Sequence, residues 1–480
     1  MTDKLYFYGR AVDYKYEIER LTRCFLPPGP LGLHYDEPVS GNNYIAFSAD
    51  EKYITVTVSD GEKLQLTEET ADRDDLTELR LWRMIYKLMS ARTGITLPWG
   101  ILTGVRPVKV IKSVYERYHN DSEAERFLTE EVLVSKEKLA TAKKIISVQQ
   151  PFADMLHRRS VSLYVSIPFC PTRCSYCSFI SSSGSALKLK GEYLALLLKE
   201  LDVYKDIVRD CGLEITSVYV GGGTPTMLEA DELSRLLDKL SEFDLSHMRE
   251  FTVEAGRPDT VTADKLKALK SGGVSRISIN PQTMNDEVLK EIGRSHTAKQ
   301  VYEAFELARQ AGFDNINADI IAGLPKDTPD SFHDTLTQVC GLSPENVTVH
   351  TLSLKRSSTL YQTHGEPSGA GDMVADATKF LTDAGYQPYY MYRQKNITDN
   401  LENIGWCKPG YECLYNIFIM EELQSILAAG CAASSKLVGN GKIERIVNFK
   451  YPYEYISRFD EVTKRKREIE EFFIDNRQTL

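Results

Sequence analysis

The sequence predicts an α/β protein centred on a partial (β/α)6 barrel over residues 159–368, with an α+β module over residues 1–158 and a mainly helical region over residues 369–480. Three observations carry that prediction. The chain has 480 residues, more than one hydrophobic core usually organises, so a large domain with an appended module is expected. From Val161 short β-rich runs begin to alternate with amphipathic helical stretches, the pattern of a parallel sheet with helical crossovers. After about Lys355 the alternation fades.

The elements follow in order. The first module opens on a strand signal, LYFYG, and continues with a hairpin from Tyr44 to Gln65. Thr67–Thr93 and Asp121–His157 then carry apolar residues at helical spacing, with Thr129–Val134 marking a join between two helices. Between them the basic turn TGVRPVK, Thr103–Lys109, reads as a loop rather than an anion contact. The barrel strands are expected at Ser162–Ser166, Ser217–Val220, Phe251–Glu254, Arg276–Ile279, Asn315–Ile320 and Val347–Leu352, with helices such as Gly191–Asp202, Ala230–Leu240, Ala263–Lys270, Tyr302–Ala311 and Pro329–Cys340 between them. Six units leave the cylinder incomplete, and a doubly wound sheet is the alternative. The tail from Gly369 reads mainly helical, and its charge run Lys464–Glu471 reads as a solvated helix face.

With 68 acidic and 58 basic residues the net charge is −10, so no chain-wide attraction to nucleic acid or anionic membrane is expected, and an anionic substrate must find a local basic patch. The start lacks the charged-then-apolar pattern of a signal peptide. Charge interrupts every long apolar stretch, as Glu421 and Glu422 do within Ile417–Ala433, so no membrane span and a cytoplasmic location are expected. Nine cysteines, an odd number spread over a long chain, fit reduced thiols rather than a disulfide framework. Cys24, Cys211, Cys340 and Cys431 read as ordinary thiols. Cys407 and Cys413 have a spacing that a second metal site could use, but Pro409 and Gly410 intervene and no further ligand pair lies nearby.

One cysteine group is tight. SIPFCPTRCSYCSF, Ser166–Phe179, places Cys170, Cys174 and Cys177 at spacing C-x3-C-x2-C directly after the first barrel strand. Three thiolates occupy three irons of a [4Fe–4S] cubane and leave the fourth iron open for the amino and carboxylate groups of S-adenosylmethionine (SAM). A zinc site would want a fourth ligand, and none lies close in sequence. This motif, with Tyr176 before its last cysteine, resembles that of the radical SAM superfamily.

The following elements each place a functional residue type at the end of the next strand. GGGTPT, Gly221–Thr226, resembles the glycine-rich segment against which the methionine part of SAM lies; taken alone it is a tight turn. Glu254 ends the third strand in FTVEAGRPD, where its carboxylate could accept from the SAM amino group or simply cap a strand. Gln282 follows the fourth strand, Arg294 comes twelve positions later in IGRSH, and Asp319 lies in the fifth. Polar residues at strand termini are costly unless used, and barrels of this kind work at the C-terminal mouth of their strands.

From Tyr164 through Leu354 these segments look like the oxygen-independent coproporphyrinogen oxidase family. The resemblance assigns cluster ligation to Cys170, Cys174 and Cys177, and cofactor contacts to Tyr164, Tyr176, Gly222, Gly223, Thr224, Glu254, Gln282, Arg294 and Asp319. Family members can bind a second SAM, to which Gln282, Arg294 and Asp319 would belong. The amino-terminal module and Tyr389–Met420 look like the coproporphyrinogen dehydrogenase HemZ branch. That likeness implies conversion of coproporphyrinogen III to protoporphyrinogen IX by oxidative decarboxylation of two propionates. A SAM-derived 5′-deoxyadenosyl radical takes a propionate β-hydrogen, and loss of CO2 and one electron leaves a vinyl group. A tetrapyrrole substrate and an electron donor are the implied partners. Lys355, Arg356, Arg393 and Lys395 are candidates for the basic surface that receives the propionates, and the rings of Tyr389–Lys395 could flank a flat pyrrolic ligand.

Two departures bear on the branch. Phe179 stands where the best-understood oxidases carry a further cysteine, as in the related heme chaperones. Tyr415-Asn416 stands where those chaperones carry a His-Asn pair, which removes an axial-ligand candidate. A heme-trafficking protein, or another radical SAM tetrapyrrole enzyme such as an anaerobic heme-opening methyltransferase, is the alternative reading.

Overall fold

The structure, a computed structural model, describes residues 4–26, 31–38, 44–60, 62–69, 74–177, 182–353, 358, 360, 369–394, 397, 400–439 and 441–475. The chain divides into two compact units, residues 1–144 with 399–401 and residues 145–398 with 402–480.

In the first unit β1 (Lys4–Gly9) runs parallel to both its neighbours, β2 (Gly32–His34) and β3 (Tyr44–Ala49). β4 (Tyr53–Asp60) and β5 (Glu62–Glu69) continue from β3 as an antiparallel meander. Ile54, Val56 and Val58, spaced by two, are fully buried, because one face of the pleat packs on a core. The helix Asp74–Thr93 packs against β4 and buries Leu81, Ile85 and Met89.

The expected hairpin is therefore three strands. The first helical run starts at Asp74 rather than Thr67, because Thr67 is claimed by the β5 ladder, where it pairs with Thr55. A helix Pro107–Tyr118, with proline at its first turn, occupies the end of the stretch read as a loop. The second helical run is divided, as Asp121–Arg126 and Lys136–Asp154 are separated by a π-helical turn at Phe127–Glu131.

The second unit carries an eleven-stranded sheet. β6 (Ser160–Ile167), β7 (Glu214–Gly222), β8 (Glu250–Gly256), β9 (Arg276–Ile279), β10 (Ile316–Ala322) and β11 (Asn346–Thr351) are the six expected strands, adjacent in order and all parallel. Their crossover helices follow from local chemistry. Ala230–Leu240 buries Leu233, Leu236, Leu237 and Leu240, one helical stripe. Thr262, Thr297 and Thr328 each cap the next helix by accepting from a backbone N–H three residues on, worth roughly 1 kcal/mol apiece.

The C-terminal region has more helical than extended residues, yet its strands widen the sheet at both ends. Beyond β11 lie β13 (Asn403–Cys407) and then β12 (Gln387–Tyr392), both antiparallel additions. Beyond β6 lie β14 (Ser425–Ala429), parallel to it, and the antiparallel pair β15 (Ser434–Gly439) and β16 (Lys442–Val447). Among the described residues the sheet is open, ending on β12 and β16.

The charge run Lys464–Glu471 lies in the helix Phe459–Asp475 but is not a uniformly solvated face. Lys466 is buried and pairs with buried Glu200 at 2.9 Å. Tyr455 and the backbone N–H of Gly430 satisfy Glu200 Oε2, and Asn448 Nδ2 satisfies Oε1, so the buried charge pair is fully hydrogen-bonded.

Candidate functional site

The site is built where β6 ends. Pro168 and Pro171 keep the following loop from becoming helical, and its cysteines are held by neighbours on three sides. Cys170 N–H donates to Ser182 O at 3.0 Å, and Ser175 N–H donates to Ile292 O at 3.0 Å. Thr172 Oγ1 donates to Gly293 O at 3.1 Å and accepts from Arg257 Nη1 at 2.8 Å. Arg257 is itself buried and gripped by both carboxylate oxygens of Asp259, at 3.1 and 3.0 Å. Sequence reasoning missed Thr172 and Arg257, whose pairing needs the β8 end folded against the loop. Phe179 lies outside the described residues.

Cys170, Cys174 and Cys177 are half-buried and form no disulfide among the described residues. Among the described residues no three His, Cys, Asp or Glu side chains converge on a single metal ion. A cubane takes one thiolate per iron and spaces its ligands around an inorganic core, so a cluster suits this donor set better than a mononuclear ion does. Two buried donors beside the loop, Ser175 Oγ and Arg294 Nε, have no partner among the described residues, which leaves room for an acceptor-rich ligand. Cys407 and Cys413 instead lie in a core cluster, where the Cys413 thiol donates to Glu250 Oε1 at 3.3 Å.

The glycine run packs directly on this loop. Gly223 N–H donates to Ile167 O and Thr224 N–H to Phe169 O, both at 2.8 Å, and Thr224 Oγ1 lies 3.4 Å from Cys170 Sγ. A methyl group at Gly223 would stand 2.7 Å from Phe169 O and 2.8 Å from Ile167 O, and Gly222 has φ +103°, so both positions demand glycine.

Glu254 faces the same space from β8. Tyr219 donates to its Oε1 at 2.6 Å, and the backbone N–H of Gly222 also bonds it. Burial pushes the carboxyl up to about 7; these two hydrogen bonds oppose the rise and the Asp319 charge adds to it. Tyr164 and Tyr219 are register partners on adjacent strands, and their rings stack at 6.1 Å. Tyr415, on the helix Leu414–Glu421, lies 4.4 Å from the Tyr219 ring and 6.0 Å from that of Tyr164. Tyr219 stands two residues before GGGTPT, at the register position of Tyr164, a period-two signal that could have revealed it.

Arg294 reaches Asn280 O at 2.9 Å and Tyr176 Oη at 3.2 Å, and it also bonds the Cys174 thiol. It thus joins the IGRSH segment to the cysteine loop. Gln282 is buried at φ +69° and bridges to β10, its N–H donating to Asp319 O and its carbonyl accepting from Ile321 N–H, both at 2.9 Å. Burial raises the Asp319 carboxyl, but bonds from His350, Asn317 and Thr348 outweigh it and hold the group below its usual range. Tyr164, Gly222, Gly223, Thr224, Glu254 and Asp319 therefore share one region with Cys170, while Tyr176 and Arg294 adjoin Cys174.

Of the substrate candidates, Lys355, Arg356 and Lys395 lie outside the described residues, and Arg393 is buried at the end of β12. Tyr389 and Tyr390 are buried too, leaving Tyr392 as the partly exposed ring, stacked on Tyr390 at 6.3 Å.

The parallel sheet with a C-x3-C-x2-C loop and glycine turn at its mouth defines a radical SAM protein, and the radical SAM superfamily model matches residues 164–339. The oxygen-independent coproporphyrinogen-III oxidase-like protein HemZ of Bacillus subtilis is 37% identical, over 94% of each chain. The heme chaperone HemW of Haemophilus influenzae is 31% identical over 62% of this chain and 76% of its own. The solved coproporphyrinogen III oxidase (HemN) of Escherichia coli superposes with a TM-score of 0.52 at 26% identity, covering 65% of this chain and 72% of that one. The chain belongs to the family of oxygen-independent coproporphyrinogen-III oxidase-like proteins within the radical SAM superfamily. A [4Fe–4S] cluster and SAM are the cofactors of such proteins. Among the described residues no helix is long and apolar enough to cross a membrane.

Proposed function

We propose that the chain converts coproporphyrinogen III to protoporphyrinogen IX by oxygen-independent oxidative decarboxylation of two propionates. The observation that carries this reading is the likeness to an oxidase-like relative over 94% of both chains, which includes the amino-terminal module and the C-terminal strands. Bound cluster and SAM supply the carbon radical that removes a hydrogen from each propionate β-carbon. In this reading Cys170, Cys174 and Cys177 ligate the cluster. Gly222, Gly223 and Thr224 let SAM approach the backbone, and Glu254 accepts from its amino group. Tyr164, Tyr176, Gln282, Arg294 and Asp319 complete the cofactor surface, for one SAM or two. The protein's work is to hold the β-carbon beside the cofactor and keep water out.

A heme-trafficking role is the second reading, favoured by the 31% identity to a heme chaperone. Against it, Tyr415 is buried in the ring stack with Tyr164 and Tyr219, so the side chain at the chaperones' His position is committed to packing beside Glu254. Anaerobic reconstitution with coproporphyrinogen III, SAM and a reductant, read by mass spectrometry for loss of two CO2, tests the proposal. Heme retained through purification without any decarboxylation would favour the second reading.

A further inference from the structure

Asp319 is an acid on a wall that already carries one. It lies in β10, and its charge acts on Glu254 of β8, Tyr219 of β7 and Tyr390 and Tyr392 of β12. On β11, His350 Nε2 faces its Oδ2 at 3.6 Å, beyond ordinary hydrogen-bond length, while His350 Nδ1 faces the Tyr392 hydroxyl at 3.4 Å. Thr348, its register partner on β11, has a single hydroxyl proton, and Asn317 Oδ1 stands 3.0 Å from that oxygen to receive it.

Asn317, two residues earlier on the same face of β10, is the close donor. Its Nδ2 donates to Asp319 Oδ1 at 2.7 Å and to Ser278 Oγ at 2.9 Å, one amide hydrogen to each. Ser278, the register partner of Asn317 on β9, spends its own proton on Asn280 Oδ1, so towards the amide it is an acceptor. The amide therefore has one orientation. Turned over, its oxygen would meet Asp319 Oδ1 and Ser278 Oγ with no proton between them. Asn317, Ser278 and Thr348 are all buried, so solvent does not stand in for any of these bonds.

This arrangement gives Asn317 a task. Burial and the neighbouring Glu254 both disfavour a charged Asp319. A lysine or arginine beside it would restore the charge but would also repel the sulfonium and amino groups of SAM, whereas a neutral amide supplies the proton without the repulsion. Because Oδ1 is anchored, the plane of the carboxylate is fixed as well. We infer that Asn317 is a positioning residue of the cofactor surface, whose amide holds Asp319 in the orientation and the ionised form that SAM meets. This inference rests on the reading of Asp319 as a SAM contact.

The test uses the full chain, reconstituted anaerobically, with SAM affinity measured by isothermal titration from about pH 6 to about pH 8 at matched iron content. Asn317→Val removes the amide and adds no charge that could act on Glu254 instead. Its Kd for SAM should be weakened about tenfold, in line with loss of one hydrogen bond to a charged group. Asn317→Asp keeps the shape and changes only the proton. At the lower pH the new carboxyl and Asp319 share one proton, and the new group donates as the amide did; as pH rises that proton leaves and two like charges face each other. Relative to wild type at each pH, its affinity should be normal at the acid end and fall away towards the alkaline end, a signature that mere space-filling would not produce. Wild-type SAM affinity in Asn317→Val overturns the inference, as does a loss in Asn317→Asp that is the same at every pH. Asp319→Asn separates the inference from its premise. Normal SAM binding in that variant removes Asp319 from the cofactor surface and takes the inference with it. Poor SAM binding in Asp319→Asn beside normal binding in Asn317→Val leaves the premise standing and overturns the inference alone.

Discussion

Glu254 owes its proton affinity to where it sits. Its carboxyl is lifted from 4.5 to about 7, chiefly by burial, while the Tyr219 phenol donates to it. A carboxyl with that midpoint is mostly neutral at pH 6 and mostly charged at pH 8. SAM affinity should therefore strengthen about tenfold across that interval if the charged form is the one that binds. Because the folded value lies above the unfolded one, the same group costs the ligand-free fold stability as pH climbs from 4.5 to about 7. Glu254→Gln should keep the cluster, flatten the pH curve and weaken SAM binding at pH 8 by about 1.5–3 kcal/mol, the worth of a charge-assisted bond. Tyr219→Phe should move the curve to higher pH without abolishing it, since one donor is lost and the Gly222 N–H remains. Isothermal titration at several pH values checks both, and a wild-type affinity independent of pH would remove Glu254 from the SAM site.

At the scale of elements, the β7 turn and the cysteine loop behave as one piece. Gly223 fits beneath Phe169 and Ile167 only because it lacks a side chain, so Gly223→Ala must push the turn off the loop. Such overpacking costs roughly 1–3 kcal/mol, and here it falls on the segment that holds Cys170. The expected outcome is a folded protein with reduced iron content and reduced SAM affinity together. Normal iron with normal SAM binding would show that turn and loop move independently. Cys170→Ala, Cys174→Ala and Cys177→Ala are harsher, since each leaves two thiolates, and each should abolish the cluster's visible absorbance. A single variant that kept about four irons and still cleaved SAM would refute the ligand assignment.

At the scale of the whole second unit, the C-terminal helix is locked to the barrel by charge as well as by packing. Lys466 and Glu200 are buried together, and Lys466 Nζ also donates to Asn448 Oδ1 at 2.8 Å. Lys466→Met leaves the Glu200 carboxylate buried without its cation and should cost about 3–5 kcal/mol in urea unfolding. Replacing both, as Glu200→Leu with Lys466→Met, should recover part of that loss, because no charge then remains to be desolvated. A single variant as stable as wild type would mean that the pair carries no net weight.

Much of this was legible in the chain. The six parallel strands, their order and the cysteine, glycine and acidic positions at their ends follow from period-two and helical periodicity and from local motifs, which act over a few residues and so leave a mark in sequence. The amino-terminal module was less legible. Its fifth strand, β5, carries Thr67, whose pairing with Thr55 overrode a helical pattern that was equally present. The C-terminal strands were missed for a related reason, since short strands such as Ser425–Ala429 gain their stability from β6, a neighbour far away in sequence. Chemistry that arises from meetings across the fold left almost no mark in the chain, the period-two match of Tyr219 to Tyr164 excepted. The Tyr164–Tyr219–Tyr415 stack, the Arg257–Thr172 brace, the His350 bridge from Asp319 to Tyr392 and the buried Lys466 each join residues from separate strands, loops or helices. From the chain alone came the groups the protein possesses and, for the six parallel strands and the motifs at their ends, the elements that carry them. Only the tertiary structure decided which of them are desolvated and paired, because burial and charge–charge distance depend on neighbours that the local chain does not name.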